Sequence, residues 1–342
     1  MSLMSYAIRA FERIPLPDLA TQYGIDYLVD RTRRRLANAP SAEEAHFASS
    51  MTSHAIAYHA DAANKQHYEL PPEFFALTLG PRRKYSSCYY ETGNETLAEA
   101  ENLALALTIE HAALADGQTI LELGCGWGSL TLFMAERYPS ARIVAVSNSA
   151  PQRLHIQAEA AARGLRNVEI LTADMNAFEP KEKFDRVISV EMFEHMSNWA
   201  ELLSRIRIWL VPNGKLFVHV FSHRHRPYRF DHRDDADWIA QHFFTGGVMP
   251  SHGLMGHFPN SFSIERDWRW SGLHYQKTAL DWLARFDTNH KRIDQILSAV
   301  YGDDASLWRR RWRIFYLATA GLFGNASGTE WGVSHYLLRP AQ

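Results

Sequence analysis

Between residues 96 and 220 the apolar positions switch repeatedly between two periods. Thr96-Leu97-Ala98-Glu99 places a glutamate three residues after a capping threonine. A helical pattern runs from there to about Ala115 and stops at Asp116-Gly117. Short apolar runs at 119–123, 142–146, 168–171 and 184–190 predict strands. Helical spacing over 130–138, 151–163 and 199–210 fills the gaps, with Pro151 suited to a first turn. Pro212-Asn213-Gly214 then turns into a further strand at 215–220. Strands alternating with helices at this rhythm imply an α/β, doubly wound parallel sheet.

The flanks read differently. Residues 4–60 are polar and helical in spacing, broken early by Pro15 and Pro17. Arg31, Arg33, Arg34 and Arg35 form a basic run, either a solvated helix face or a contact for an anionic membrane surface. Segments 67–75 and 85–90 are aromatic, loop-like and rich in hydrogen-bonding side chains, as a site wall would be. From 222 to 290 the rhythm fails. His, Arg and aromatic residues crowd around Phe244-Thr245-Gly246-Gly247, which suggests an insertion lying over the strand ends as a lid. Helices are expected over 277–323, and 331–338 is a last strand that could return antiparallel into the sheet.

Composition narrows the class. With 342 residues, 46% of them hydrophobic, the chain can bury a sizeable core and is not a disordered polymer. A formal net charge of −2 argues against a nucleic-acid binder, which needs a broad positive field. Two cysteines, Cys88 and Cys125, give neither a disulfide framework nor a CxxC zinc pair, so a reducing, cytoplasmic setting is expected. No apolar run reaches ~18 residues, and no charged leader precedes an apolar stretch.

Four segments carry chemistry. In Glu122-Leu123-Gly124-Cys125-Gly126-Trp127-Gly128 a strand feeds a glycine turn that opens a helix, so a ligand can approach the backbone. The spacing is GxGxG, not the GxGxxG of a pyrophosphate site. Glu122 would repel a pyrophosphate and suits the amino end of S-adenosylmethionine (SAM). At the end of the next strand, Ser147, Asn148 and Gln152 offer neutral hydrogen bonds where many nucleotide sites place a carboxylate; they could equally cap the following helix. Asp174 could accept from an adenine amino group with Met175 against the ring, or simply cap a turn. Glu191, Glu194 and His195 follow directly on a buried strand, where charged groups are costly unless used or paired. They are read as a general acid–base cluster. His219, His223 and His225 lie close in sequence, but His219 sits at a strand end, so helical metal-ligand spacing does not apply and no metal is expected.

Five segments together resemble a known family. They are Gln66-His67-Tyr68-Glu69-Leu70-Pro71, Lys84-Tyr85-Ser86-Ser87-Cys88-Tyr89, the glycine segment through Leu130, Glu191-Met192-Phe193-Glu194-His195-Met196, and Phe243-Phe244-Thr245-Gly246-Gly247. The chain resembles the SAM-dependent cyclopropane fatty-acyl-phospholipid synthase superfamily, closer to its coclaurine and pavine N-methyltransferase branch. The resemblance implies a Rossmann-like SAM-dependent methyltransferase fold, with an N-terminal helical segment (1–63), a SAM-binding core (64–221), a lid or substrate-binding insertion (222–290) and C-terminal helices with the last strand (291–342). It adds Tyr85 and Ser86 to the cofactor contacts, and Tyr68, Glu69, His219 and Tyr275 to the substrate side. Glu191 matches the amine branch, whereas the cyclopropane synthases carry glycine there. Their bicarbonate-binding cysteine is replaced by Ser87, with Cys88 displaced by one.

The expected activity is methyl transfer from SAM to the nitrogen of a small, aromatic or alkaloid-like amine. The rival is methyl or methylene transfer to an unsaturated acyl chain of a phospholipid. A SAM-binding scaffold without turnover is a third reading, which the intact acid/His cluster disfavours. Membrane contact and a homodimer are left open.

Overall fold

The computed structural model describes residues 12, 14, 16–40, 42–58, 70–231 and 237–341. Helices α1 (Asp18–Ala37) and α2 (Glu43–Ser50) open it, followed by α3 (Pro72–Thr78) and α4 (Leu97–His111). The cap anticipated for α4 is formed: Glu99 N donates to Thr96 Oγ1 at 3.3 Å and Thr96 N to Glu99 Oε2 at 2.8 Å. Then come β1 (Thr119–Leu123), α5 (Ser129–Arg137), β2 (Arg142–Ser147), α6 (Ala150–Ala162), β3 (Val168–Thr172), β4 (Phe184–Val190), α7 (Trp199–Trp209) and β5 (Leu210–His223). The second part holds the short strands β6 (Tyr228–Arg229) and β7 (Val248–Met249) on either side of α8 (Trp238–His242). Strand β8 (Phe262–Ser271), helices α9 (Gly272–Thr288), α10 (His290–Tyr301) and α11 (Ala305–Gly328), and β9 (Trp331–Pro340) complete it.

The seven-stranded sheet has the order β3-β2-β1-β4-β5-β9-β8. The first five are parallel, and β9 runs antiparallel between β5 and β8. The strand order reverses between β1 and β4, the switch point at whose carboxyl ends open α/β sheets take their ligands. Register sets what meets there. Leu123 pairs with Ser189 and Val190 with His219, so Gly124 and Glu191 emerge side by side.

Three elements differ from the sequence reading. Residues 72–75 of the segment read as loop-like belong to helix α3, with a proline suited to its first turn. The turn at Pro212-Asn213-Gly214 lies within β5 as an irregularity: the ladder jumps from Phe184↔Leu210 to Arg186↔Lys215, with Asn213 at φ +67°. Strand β8, inside the segment read as an insertion, was not predicted. Glu265, Arg266, Asp267 and Arg269 hide its apolar alternation, because an edge strand can turn such residues to solvent.

The C-terminal helices build a separate aromatic core against α3. Trp312 is fully buried, with its ring 4.8 Å from Phe74 and 5.3 Å from Phe243. On α1, Ile25 and Val29 face inward, while Arg33 pairs with Asp30 at 3.2 Å. Among the described residues no helix is long and apolar enough to cross a membrane. Trp312→Ala should lower the unfolding free energy by ~3–5 kcal/mol in urea titrations, the scale for emptying a large buried aromatic site.

Candidate active site

The glycine turn after β1 is built from left-handed backbone. Gly124, Gly126 and Gly128 have φ of +80°, +53° and +82°. A Cβ on Gly124 would sit 2.7 Å from Met192, and one on Gly128 would sit 2.7 Å from Ile156, so these two are glycine for packing. A Cβ on Gly126 would meet nothing within 4 Å among the described residues, so this position needs glycine for its backbone conformation and leaves room at the turn. The backbone N–H groups of Gly124 and Cys125 both donate to Val146 O, which locks the turn to β2.

Glu122 is buried beneath this turn and accepts from Thr131 Oγ1 at 2.5 Å. Burial pushes its carboxyl up to about 7. A cationic amino group beside it would restore its charge. Ser147 Oγ donates to Gln152 Oε1 at 2.6 Å, and Gln152 Nε2 is buried with no partner among the described atoms. Ser149, not Ser147 or Asn148, caps α6 through Gln152 N. Ser147 Oγ also accepts from Ser149 N at 3.0 Å and so belongs to the turn that opens α6, whereas Gln152 keeps a donor in reserve; Asn148 is exposed beside them. Asp174 does form a turn: its Oδ1 accepts from Asn176 N at 2.9 Å and Nδ2 at 3.0 Å. Asn176 in turn clamps Ala57 through both backbone groups, with Met175 buried alongside. An uncrowded glycine turn, a buried acid and an amide donor unpartnered among the described residues fit the ends of SAM.

Beyond β4 the carboxylates converge. Glu191 has φ +47°, rare for a residue with a side chain, and its N–H donates to His219 O at 2.8 Å. Its Oε1 accepts from Ser87 N at 2.9 Å and lies 3.2 Å from His219 Nε2; Oε2 accepts from Tyr275 OH at 2.7 Å. Glu194 is fully buried, with Oε1 accepting from Phe221 N at 2.8 Å and Oε2 without a partner among the described residues. Burial raises both carboxyls. Glu194 goes further, because the Glu191 charge adds to burial and only backbone donors oppose it. Burial lowers the His195 imidazole to about 4, so it is neutral in ordinary buffers. Its ring stacks on Phe244 with centroids 4.8 Å apart. Gly247 packs against the Glu194 carbonyl, where a Cβ would come within 3.1 Å.

Tyr85 lies between Phe75 and Trp282, with ring centroids 5.6 Å from each. Ser86 accepts from Lys84 Nζ at 2.5 Å. Tyr68 and Glu69 lie outside the described residues.

Lys84, Glu101 and His335 were not singled out as site residues. Lys84 is buried beneath the Tyr85–Ser87 loop, and its ammonium counters Glu191. Glu101 accepts from the N–H groups of Arg82 and Lys84 and so shapes the loop. Lys84 carried a signal, a cation opening an aromatic loop. Glu101 carried none, being one of several acids on an ordinary helix.

The chain matches the mycolic acid cyclopropane synthetase family over residues 57–325. It is 36% identical over 289 residues to (S)-coclaurine N-methyltransferase of Thalictrum flavum subsp. glaucum, covering 83% of this chain and 80% of that one. The crystal structure of a coclaurine N-methyltransferase bound to N-methylheliamine and S-adenosylhomocysteine (SAH) superposes with a TM-score of 0.91 at 34% identity, covering 95% of this chain and 96% of that chain. Cyclopropane-fatty-acyl-phospholipid synthase of Escherichia coli (strain K12) is 30% identical over 224 residues, covering 65% of this chain and 56% of that one.

If Glu122 meets the amino group of the ligand, SAH binding near pH 7 should expel part of a proton, because the cation lowers a carboxyl that rests at about 7. Calorimetry in buffers of different ionisation enthalpy measures this release, and Glu122→Gln should remove it. Gly126→Val should abolish SAH binding by filling the room at that turn.

Proposed function

We propose, from the premise that the chain belongs to the mycolic acid cyclopropane synthetase family and is a SAM-dependent methyltransferase, that it methylates the nitrogen of a small aromatic or alkaloid-like amine. The observation that carries the reading is Glu191: a buried carboxylate fixed by three partners at the switch point between β1 and β4. An amine attacks only as the free base, yet an alkylammonium of pKa ~10 is protonated at neutral pH. The site must therefore attract a cation and then take its proton.

Within this reading SAM supplies an electrophilic methyl group and departs as SAH. Gly124, Gly126, Glu122, Ser147, Gln152, Asp174, Tyr85 and Ser86 hold it, with Met175 beside its ring and Asn148 at the rim. Glu191 draws in the ammonium, and Glu194 adds to the field as it ionises. His195 is a neutral imidazole clamped flat on Phe244, so it can accept a proton without first losing one. Tyr275 and His219 hold Glu191 in place, and Tyr68 and Glu69 would complete the substrate wall. Alignment of nitrogen, methyl carbon and sulfur supplies much of the remaining acceleration. The segment around Phe244-Thr245-Gly246-Gly247 acts as a lid, with the protein in the cytoplasm.

The lipid reading fits less well. An alkene needs no deprotonation before attack, so a charged Glu191 would burden an apolar chain.

His195→Ala and Glu194→Gln should each lower kcat by ~10²-fold or more on the best amine of a panel, with little change in SAM affinity. Glu191→Gly should mainly raise KM for the amine. The rate should rise with pH. His195 has already lost its proton well below neutrality, so the rising limb belongs to the raised carboxyl pair and the amine. Glu194→Gln should therefore move that limb, while His195→Gln should lower the plateau without moving it. Retention of wild-type kcat by all these variants would refute the assignment. Turnover of unsaturated phospholipid in place of any amine would replace it with the lipid reading.

A further inference from the structure

Three histidines from three separate elements join end to end behind Glu191. His219 Nε2, on β5, lies 3.2 Å from Glu191 Oε1. His219 Nδ1 lies 2.8 Å from Nε2 of His335, its register partner on β9. His335 Nδ1 lies 2.8 Å from Nδ1 of His111, the last residue of α4. His219 and His335 are fully buried, whereas His111 is partly exposed and stacks on Trp268 with ring centroids 3.9 Å apart. The line thus leads from the carboxylate cluster, through the sheet, to the protein surface.

We propose that His219, His335 and His111 form a proton exit from Glu191 to solvent, clearing the proton that each methyl transfer releases. The proposal rests on the methyltransferase reading above. An ammonium substrate gives up one proton, and its free base then takes the methyl group to become a methylated ammonium; the net products are SAH, that ammonium and one proton. His195 cannot keep the proton: its imidazole rests at about 4, below the raised Glu191 and Glu194 carboxyls, and Glu191 is the member of that pair that touches His219.

From Glu191 the transfer balances as follows. The carboxyl gives its proton to His219 Nε2 as His219 Nδ1–H passes to His335 Nε2. His335 Nδ1–H passes to His111 Nδ1, and His111 Nε2–H goes to water. One proton leaves, Glu191 is again a carboxylate, and every ring holds the opposite tautomer. Reorientation of the three imidazoles completes the cycle.

The surroundings favour concerted passage over a standing imidazolium. Burial holds His219 and His335 well below the usual imidazole range, and the Lys84 ammonium adds to this. Trp270 packs against both rings, at 5.5 Å from His219 and 4.3 Å from His335. Glu191, Glu194, His195, Tyr275 and Lys84 are titratable groups at the inner end; Glu110 and Arg266 flank His111 at the outer.

The test uses the full chain with SAM and the best amine. His111→Ala removes the outer nitrogen at a partly exposed position, and His335→Phe removes the middle one. Both should lower kcat about tenfold, short of the ~10²-fold or more that follows loss of the base itself, with KM nearly unchanged. Added imidazole should restore His111→Ala in proportion to its concentration, which a packing defect would not allow. Wild-type kcat in both variants, or a loss in His111→Ala that imidazole does not restore, overturns the relay. Turnover of unsaturated phospholipid but no amine defeats the amine reading alone. The same variants measured on lipid then decide the relay, because that reaction also releases one proton. If neither acceptor is used, long-range 1H–15N spectra of the SAH complex decide. A continuous chain requires His219 and His335 to hold the same tautomer, and opposite tautomers overturn it.

Discussion

A buried carboxylate at the tip of a parallel strand governs the rest of this structure. Glu191 leaves β4 in the left-handed region, which costs a residue with a Cβ ~1–2 kcal/mol. Burial of its charge costs more still unless partners are supplied. The Ser87 amide, the Tyr275 hydroxyl and the His219 imidazole supply them from three different parts of the chain. Each partner must itself be held. Lys84 and Glu101 shape the Ser87 loop, Phe323 stacks on Tyr275 at 4.3 Å, and the β5–β9 register sets His219. The late antiparallel strand and the aromatic C-terminal helices thus serve the site as well as the core.

Much of this was legible in the sequence, for physical reasons. Parallel strands buried on both faces read as continuous apolar runs, so β1, β2 and β4 stood out. Glycines at positive φ and acids directly after a buried strand are expensive choices, and expensive choices are conspicuous. The elements missed are those whose pattern is diluted. In β8, charged residues occupy the exposed positions of an edge strand, and alternation disappears beneath them. The irregularity in β5 reads as a turn because a turn is what Pro212-Asn213-Gly214 makes locally; only pairing with β4 on both sides shows that the strand continues.

The site divides the same way. Glu122, Gly126 and Glu191 announce themselves by type and position. Asp174 allowed two readings, of which the turn is formed. Lys84 and Glu101 act across tertiary distance, and no local spacing encodes that. Nothing in the sequence relates His111 to His335, which are 224 positions apart, until β9 is laid beside β5.

Glu191 also bears on the choice between acceptors. Its backbone adopts a conformation that glycine takes at no cost, and glycine is the residue that the resemblance places there in the lipid-modifying branch. A glycine would leave Ser87 N, Tyr275 OH and His219 Nε2 facing a common space, three polar groups around the volume of a small oxyanion. In this chain the carboxylate of Glu191 fills that space with a covalently fixed anion. The same donors then steady a charge that belongs to the protein, and Glu194, whose second oxygen has no partner among the described residues, stands close enough for its titration to respond to that charge. An acceptor that arrives as a cation gains from this exchange, since the fixed anion both attracts it and holds the group to which its proton can fall. An apolar acyl chain gains only the cost of lying beside it.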